Sequence, residues 1–160
     1  MDTPRISLNI DENDIPCMLL PLKEHVLLVP TVSIAEMAPM SPVASAQNTP
    51  DWFYGYYDWR GHQLPVISYE GLNGESIGEL KKEGRIAVFN NTASENDIPY
   101  FAIATQTIPR MVRVGQEDIR LNDDAELGEI DLMKVFVGVE NLAIPNVGQM
   151  EKRLVGVVNV

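Results

Sequence analysis

Few residues of this chain have side chains suited to catalysis. His25 and His62 are the only histidines, and Cys17 is the only thiol. Nucleophilic catalysis needs a base beside the nucleophile, and general acid–base catalysis needs groups whose pKa values are held apart. The sequence contains no glycine-rich phosphate loop. We therefore predict no catalytic residue and no cofactor, with both histidines hydrogen-bonded within the fold or facing solvent.

Metal binding has no clear signature either. A single cysteine excludes an intrachain disulfide and a cysteine metal cluster within these 160 residues. The segment from Glu117 to Asp131 contains seven carboxylates and one cation, Arg120. Its spacing lacks the central glycine and terminal glutamate of a calcium loop. We expect a solvated acidic face there and no metal site.

The charge balance disfavours two classes of partner. The chain has 23 acidic and 12 basic residues, a formal net charge of -11. Nucleic acids and anionic lipid surfaces both attract clustered cations, so neither is an expected partner. The longest apolar runs are far shorter than the roughly 20 residues that cross a bilayer, so no membrane insertion is expected. The first residues lack the regions of an export signal, which favours a cytoplasmic protein.

The elements that position these residues are mostly short strands. Brief apolar runs separated by turn-forming residues, with 11 glycines and 11 prolines, favour an all-β protein of the barrel or sandwich class. Residues 32–37 and 76–82 are the two short helix candidates, and 38–50 and 90–99 are expected to be surface loops. The predicted strands cover residues 17–22, 26–29, 63–69, 85–89, 100–104, 111–114, 135–139 and 154–158.

The most informative segment is 48–69, which contains both tryptophans and four of the five tyrosines. Large aromatic residues and arginine dominate binding hot spots. Residues 58–61 lie between two strand-like runs and predict a hairpin turn, with Gly61 free to adopt positive φ and Arg60 at the tip. We expect Trp52 and Tyr57 to lie in the core, whereas Arg60 is either an ordinary turn charge or a binding residue.

This segment resembles the CheW-like domain, the adaptor module of bacterial chemosensory arrays. Upstream, Ile34-Ala35-Glu36-Met37 matches the Val-x-Glu-(Ile/Val) element of the family, and its spacing to Gly55 agrees as well. The central elements of the family appear here in order as Pro50-Asp51-Trp52, Gly55, Asp58-Trp59-Arg60-Gly61 and Pro65-Val66-Ile67. The resemblance extends more loosely from about Cys17 to Val160.

The departures from the family pattern are informative. Asp58 replaces the usual asparagine, Ser68 replaces a strand-ending aspartate, and residues 106–108 replace an Asp-x-Val pattern. We also expect no C-terminal helix after the last predicted strand. These differences indicate a divergent branch similar to the small adaptors of type IV pilus (twitching) chemosensory systems.

The resemblance implies a fold of two intertwined five-stranded SH3-like β-barrels, formed by residues 17–160 after an extension of residues 1–16. It implies two partners, the regulatory domain of a CheA-like histidine kinase and the helical tip of a methyl-accepting chemoreceptor. By the resemblance, Ile34, Glu36 and Met37 lie on the kinase side. Residues at the hairpin support adaptor contacts, with Arg60 on the receptor side; they are Gly55, Asp58, Arg60 and Gly61.

The alternative function is a β-barrel that binds a small molecule or acts as an enzyme through the groove between its lobes. The aromatic segment and His62 are the only features that favour it. Turnover or ligand-induced stabilisation would support this alternative, whereas co-purification with a kinase or receptor would support the adaptor.

Overall fold

The computed structural model describes residues 13–90 and 99–158, which contain eleven strands and two α-helices. Most of the predicted extension and of the predicted loop 90–99 lie outside these residues. The strands are β1 (Ile15–Pro21), β2 (Val26–Pro30), β3 (Ile34–Pro39), β4 (Phe53–Trp59), β5 (His62–Ile67), β6 (Arg85–Asn90), β7 (Tyr100–Ala104), β8 (Arg110–Val114), β9 (Ile119–Leu121), β10 (Asp131–Val137) and β11 (Glu140–Pro145). The helices are α1 (Tyr69–Leu72) and α2 (Val147–Val158), and Thr31–Ser33 forms a 3₁₀ turn.

One sheet, the six-stranded lobe, combines the two ends of the described chain. Its strand order is β8-β1-β2-β11-β10-β9. Neighbours are antiparallel except β2 and β11, which are parallel through Ala143 and Leu27. The edge strands β8 and β9 are consecutive in the chain, and a hydrogen bond from Asp118 N to Gly115 O closes the turn between them. The two edges of this sheet are therefore brought together by a short connection.

The other sheet, the five-stranded lobe, is formed by the chain between β2 and β8. Its order is β3-β6-β7-β5-β4, with β5 and β7 parallel. The Tyr57 hydroxyl on edge strand β4 donates a 2.8 Å hydrogen bond to Pro39 O on the opposite edge, β3. The sheet therefore curls so that its edges meet. The predicted architecture of two intertwined β lobes is confirmed, and the lobe with the short strand β9 has six strands where five were expected.

Three apolar clusters hold the lobes together. One fills the five-stranded lobe around Tyr57 and Trp59, and another fills the six-stranded lobe around Leu19 and Leu142. The third lies between them and draws on both sheets and both helices, with Phe89 and Phe101 stacked at 5.2 Å. Each lobe therefore has a small core of its own, and the shared central cluster joins the two lobes.

The predictions of helices need three corrections. Residues 154–158 belong to α2 and not to a strand, so the prediction that a C-terminal helix is absent was wrong. The β-branched valines at the chain end favoured a strand, but Asn146 Oδ1 accepts a 3.1 Å bond from Gln149 N, and Met150 and Leu154 bury one helical face.

Neither predicted short helix is present. In 32–37, the chain leaves the 3₁₀ turn and enters β3, where it pairs with β6. Residues 76–82 are not helical, and the short helix lies earlier, at Tyr69–Leu72. Ser68 caps it by accepting a 3.0 Å bond from Gly71 N. Serine and aspartate are both good N-caps. Ser68 therefore fills a capping role that an aspartate could also fill.

A buried polar network joins α1 to the start of β10. Asp131 Oδ1 accepts hydrogen bonds from the Tyr69 hydroxyl at 2.6 Å and from Asn73 Nδ2 at 3.0 Å, and Asp131 Oδ2 accepts from Gly128 N at 2.8 Å. Burial alone would raise the pKa of Asp131, but these bonds, with Lys134 nearby, lower it below its usual value. Burial and Asp131 raise the pKa of Tyr69. Asp131 is therefore a structural exception to the predicted solvated acidic face.

Candidate functional site

The hairpin between β4 and β5 has the tight turn that the sequence predicts. Trp59 pairs with His62, leaving Arg60 and Gly61 as the two turn residues. Their φ angles are 50° and 81°, the positive values of a type I′ turn. Arg60 adopts this left-handed conformation without being a glycine, and its side chain is 68% exposed. The predicted position of Arg60 at the tip is confirmed.

Glu36 on β3 holds this tip from the opposite edge of the sheet. Its Oε1 atom accepts a 2.7 Å hydrogen bond from Arg60 Nη2 and a 3.0 Å bond from Trp59 Nε1. Charge-assisted bonds of this length restrict the side chains that make them. The family resemblance implies different partner sides for Glu36 and Arg60, but the structure joins them in one ion pair.

Aromatic rings complete this arrangement, which we call the hairpin corner (Glu36, Trp59, Arg60, His62 and Tyr100). The Arg60 guanidinium carbon lies 4.8 Å from the centre of the Trp59 ring. That ring makes an edge contact with Tyr100 at 4.8 Å and a tilted contact with His62 at 6.1 Å. Trp59 is only 6% exposed, so it anchors a corner whose other members reach solvent. A buried aromatic beneath an exposed arginine is typical of a binding hot spot.

The other predicted site residues lie apart from the guanidinium of Arg60. Asp58 is exposed on β4 opposite Gln63, in the strand and not in the turn. Ile34 and Met37 are half-buried against the central cluster. They therefore belong to the inner face of β3, whereas Glu36 lies at the hairpin corner.

The structure explains why position 55 is a glycine. Its φ is 137°, and a Cβ atom there would lie 2.1 Å from Ala44 O. The adjacent Tyr56 pairs with Ala44 through two backbone bonds of 2.8 Å. Glycine thus allows the 38–50 loop to approach β4. Of the two residues expected in the core, Tyr57 is buried and Trp52 is half-buried.

A second surface, the apolar groove, lies on the six-stranded lobe. It has a volume of about 530 Å³. Ile15 at its rim is 53% exposed, and Leu28 on its floor is buried. Contiguous exposed apolar surface is typical of interaction sites. The lining residues are Asn13, Ile15, Cys17, Leu28, Pro30, Val114, Gly115, Gln116, Ile119 and Ile144.

This groove was not predicted from the sequence. Alternation along β1 places Ile15, Cys17 and Leu19 on one face, which is the signal that was available. That alternation gives no indication that the face remains open at one end. Burial raises the pKa of the Cys17 thiol, so this groove residue is protonated at neutral pH and behaves as an apolar side chain.

The histidines behave as expected. His25 Nε2 lies 2.8 Å from Glu75 Oε1, and His62 is an exposed member of the hairpin corner.

Residues 74–78 spell Gly-x-Ser-x-Gly, the pattern of a nucleophile elbow, but an elbow requires a strand before the serine and a helix after it. Neither flanks Ser76, whose hydroxyl oxygen accepts a 2.6 Å bond from Lys23 Nζ. The pattern here therefore forms a surface loop.

The fold and the two surfaces define a domain of two β lobes with two candidate binding surfaces, and comparison with known proteins identifies its family. The CheW-like domain family matches residues 16–139. The match covers most of the chain, so this chain belongs to the CheW-like domain family, as its central motif predicted.

Solved structures support the same fold. The scaffolding protein TtCheW from Thermoanaerobacter tengcongensis is similar with a TM-score of 0.68 and 13% sequence identity. The similarity covers 82% of this chain and 88% of that chain. No curated protein sequence matches significantly. In the part of the chain that the structure describes, neither helix has the length and apolar character needed to span a bilayer.

Proposed function

We propose that this chain is a non-enzymatic chemosensory adaptor that couples a methyl-accepting chemoreceptor to a CheA-type histidine kinase. Its family supports an adaptor or scaffold role in chemotaxis signalling. The observation that carries the finer proposal is that the two lobes present chemically different surfaces. One is the apolar groove, and the other is the charged and aromatic hairpin corner. An adaptor for two partners needs two such surfaces. Because both proposed partners would bind it in the cytoplasm, the proposal includes a cytoplasmic location.

We assign the apolar groove to the regulatory domain of the kinase. The family resemblance implies that this domain has a related fold, so it offers apolar lobe ends of the same kind. Ile15 is half-exposed at the groove rim, and its strand is held by pairing on both sides. Its side chain is therefore available to pack against the partner's surface. Burial of apolar area stabilises such a contact by about 25 cal/mol per Å². Ile34 and Met37 remain proposed contacts on the kinase side, next to the lobe boundary.

We assign the hairpin corner to the receptor tip. Arg60 is held above Trp59 by Glu36, so little side-chain entropy remains to be lost on binding. Its exposed N–H groups are donors for carboxylates or carbonyls on a helical partner. Glu36 acts with Arg60 in this assignment because the two are hydrogen-bonded. Gly61 and Gly55 shape the hairpin, and Asp58 lies exposed beside it.

Both contacts are expected to be modest when measured alone. Transient signalling interfaces often bury less than about 1,200 Å² in total. Linked sites in an array raise the effective concentration of each partner, so assembly does not need a single tight contact. The departures at Asp58 and at residues 106–108 support a pilus-motility pathway within this proposal.

The test is calorimetric titration of the full chain with each partner separately. Ile15→Glu should weaken binding of the kinase regulatory domain at least about tenfold and leave receptor binding unchanged. Val139→Glu is the matched control, since Val139 is an apolar residue with 98% exposure outside the groove.

The complementary variant is Arg60→Ala, expected to weaken receptor binding by about 1–2 kcal/mol. Arg110→Ala is its control because Arg110 also pairs with a glutamate, at 2.9 Å from Glu140, on the other lobe. Unchanged receptor affinity in a folded Arg60→Ala variant would contradict the assignment. If neither partner binds the wild-type chain, the coupling function itself is wrong.

The alternative function was expected to use a groove between the lobes, whereas the apolar groove lies on the six-stranded lobe. The volume of the apolar groove nevertheless falls within the range of small-molecule pockets. Under this alternative, small apolar ligands would raise the melting temperature of the wild type, and Ile15→Glu would remove that shift without any effect on kinase binding. This outcome would assign the groove to a ligand.

A further inference from the structure

His25, Glu70 and Glu75 form a cluster where the two lobes meet. His25 lies in the turn between β1 and β2 of the six-stranded lobe, whereas Glu70 is in α1 and Glu75 follows it, on the side of the five-stranded lobe. One donor atom from each lies within 4.8 Å of the other two. No residue of this cluster belongs to the hairpin corner or lines the apolar groove.

Glu70 is the unusual member because it is only 3% exposed. Its Oε1 accepts a 3.0 Å bond from Lys23 N, and its Oε2 accepts a bond from Glu24 N. Among the ion pairs of the described residues, none involves Glu70, and the Lys23 ammonium donates to Ser76 Oγ. Buried carboxylates are generally paired with a cation or bound to a metal. Glu70 therefore has hydrogen-bond donors but no ion pair among the described residues.

The backbone that carries these donors is held in place. Leu22 N donates a 2.7 Å bond to His25 O, which closes the β1–β2 turn, and Glu75 N donates a 2.8 Å bond to Glu70 O. The side chains of His25 and Glu75 are 26% and 39% exposed, so an ion can enter from solvent. The cluster thus combines one buried ligand with two accessible ones on ordered turns.

We propose that this cluster binds one Zn²⁺ ion, with His25 Nε2 and a carboxylate oxygen from each of Glu70 and Glu75 as ligands. One imidazole with two carboxylates is a donor set that suits zinc. Mg²⁺ and Ca²⁺ prefer oxygen ligands alone. Solvent would complete the coordination, since three protein ligands leave a position open in a tetrahedral site.

The distance between two of the ligands requires only a small movement. His25 Nε2 and Glu75 Oε1 are 2.8 Å apart, where they share a hydrogen bond. Bonds of about 2.1 Å to a common tetrahedral zinc would separate these two atoms by about 3.4 Å. Binding of the metal would replace this hydrogen bond. Because the ligands come from both lobes, the ion would fasten the β1–β2 turn to the segment after α1.

The first measurement uses the full chain, stripped with chelator and dialysed, and then titrated with ZnCl₂. We expect saturable binding of one equivalent and a melting temperature that rises with free zinc, because a ligand that binds only the folded state stabilises it. MgCl₂ at the same concentrations should give no comparable rise. Absence of saturable zinc binding would overturn the proposal.

Variants then identify the ligands. His25→Ala and Glu75→Gln should each lower zinc affinity at least about tenfold, since even loss of a residue that only supports a ligand typically costs that much. His62→Ala is the matched control because it removes the other histidine, which lies outside the cluster, and it should retain wild-type affinity. Retained binding in a folded His25→Ala variant, or an equal loss in His62→Ala, would contradict the assignment.

A spectroscopic readout locates the ion even if a variant is unstable. Substoichiometric Ni²⁺, added to isotope-labelled wild-type protein, should broaden the amide resonances of Lys23, Glu24 and Glu75 first. Broadening centred on Asp123 and Asp124 would show that the ion prefers the exposed acidic loop, and the proposed site would then be wrong.

Discussion

The two lobes differ in how completely they cover their apolar residues. Strands of the five-stranded lobe bury large aromatic side chains, whereas strands of the six-stranded lobe contain a single aromatic residue, Phe136. Among the described residues, ten large apolar side chains are exposed. Five of them lie in strands of the six-stranded sheet and none in a strand of the five-stranded sheet; these five are Ile15, Met111, Leu121, Leu132 and Met133.

This difference indicates that the two lobes bind their partners through different kinds of contact. Exposed apolar area costs free energy in water, and a partner that covers it recovers that free energy. The five-stranded lobe, which we call the closed lobe, instead presents the hairpin corner, whose side chains are already hydrogen-bonded to each other. The six-stranded lobe, which we call the open lobe, is therefore suited to apolar association. The closed lobe is suited to polar recognition by side chains that are already held in place.

The sharpest test of this contrast removes the same atoms from each lobe. Leu64 is buried in the closed lobe, and Leu28 is buried beneath the apolar groove. We expect Leu64→Ala to lower the free energy of unfolding by about 4 kcal/mol and Leu28→Ala by about 2–3 kcal/mol, because the space left by Leu28 merges with an open groove. Urea denaturation of both variants measures the difference, and equal losses would show that the lobes are equally closed.

Glycines at positive φ offer a second comparison between the lobes. Gly55 has a φ of 137° and Ala44 O in the position of a Cβ, whereas Gly138 in the β10–β11 turn has a φ of 63° and open space around it. Gly55→Ala should cost about 3 kcal/mol, because the 38–50 loop must move away from β4. Gly138→Ala should cost about 1 kcal/mol from backbone strain alone. Thermal unfolding distinguishes them, and a similar loss at both positions would mean that the loop contact contributes nothing.

The joint between the lobes can be tested through Asp131. Its pKa is lowered in the folded protein, so its ionised form contributes stability that is fully present above the unfolded pKa of about 3.9. That contribution is lost as the pH falls through the lower folded pKa. We expect Asp131→Asn to cost about 2 kcal/mol at pH 7, because charge-assisted bonds from Tyr69, Asn73 and Gly128 are weakened or lost.

The pH dependence provides the control for this prediction. Wild-type stability should fall more steeply than that of Asp131→Asn as the pH decreases below about 4, so the two curves should converge. The measurement is the free energy of unfolding by denaturant at a series of pH values. Parallel curves would mean that Asp131 does not titrate as the structure indicates.

Much of the fold followed from local patterns. Alternating apolar residues and turn formers identified most strands, and Asp58-Trp59-Arg60-Gly61 identified the hairpin because turn type depends on a few adjacent residues. The end of the chain was misassigned for the opposite reason. Residues 154–158 favour a strand by β-branching, but a cap at Asn146 and burial of Leu154 against the central cluster make them helical.

The candidate site could be predicted from the sequence only in part. The residue types at Glu36 and Arg60 indicated a binding surface, but their bond depends on closure of the sheet, which brings β3 to β4 across the barrel. The apolar groove and the His25 cluster both combine residues distant in sequence. Such contacts depend on the packing of two lobes, and no local pattern specifies how the lobes pack.

The smallest effect concerns two exposed ion pairs, one on each lobe. Glu36 and Arg60 are 35% and 68% exposed, and Glu140 and Arg110 are 44% and 57% exposed. Exposed pairs typically contribute about 0.2–1 kcal/mol. The first pair should lie near the upper end, because Trp59 donates a hydrogen bond to Glu36 and its ring lies beneath the Arg60 guanidinium. The second has no such support among the described contacts. Double-mutant cycles to alanine measure both coupling energies, and an equal or larger value for the Arg110 pair would show that the closed lobe does not preorganise its corner.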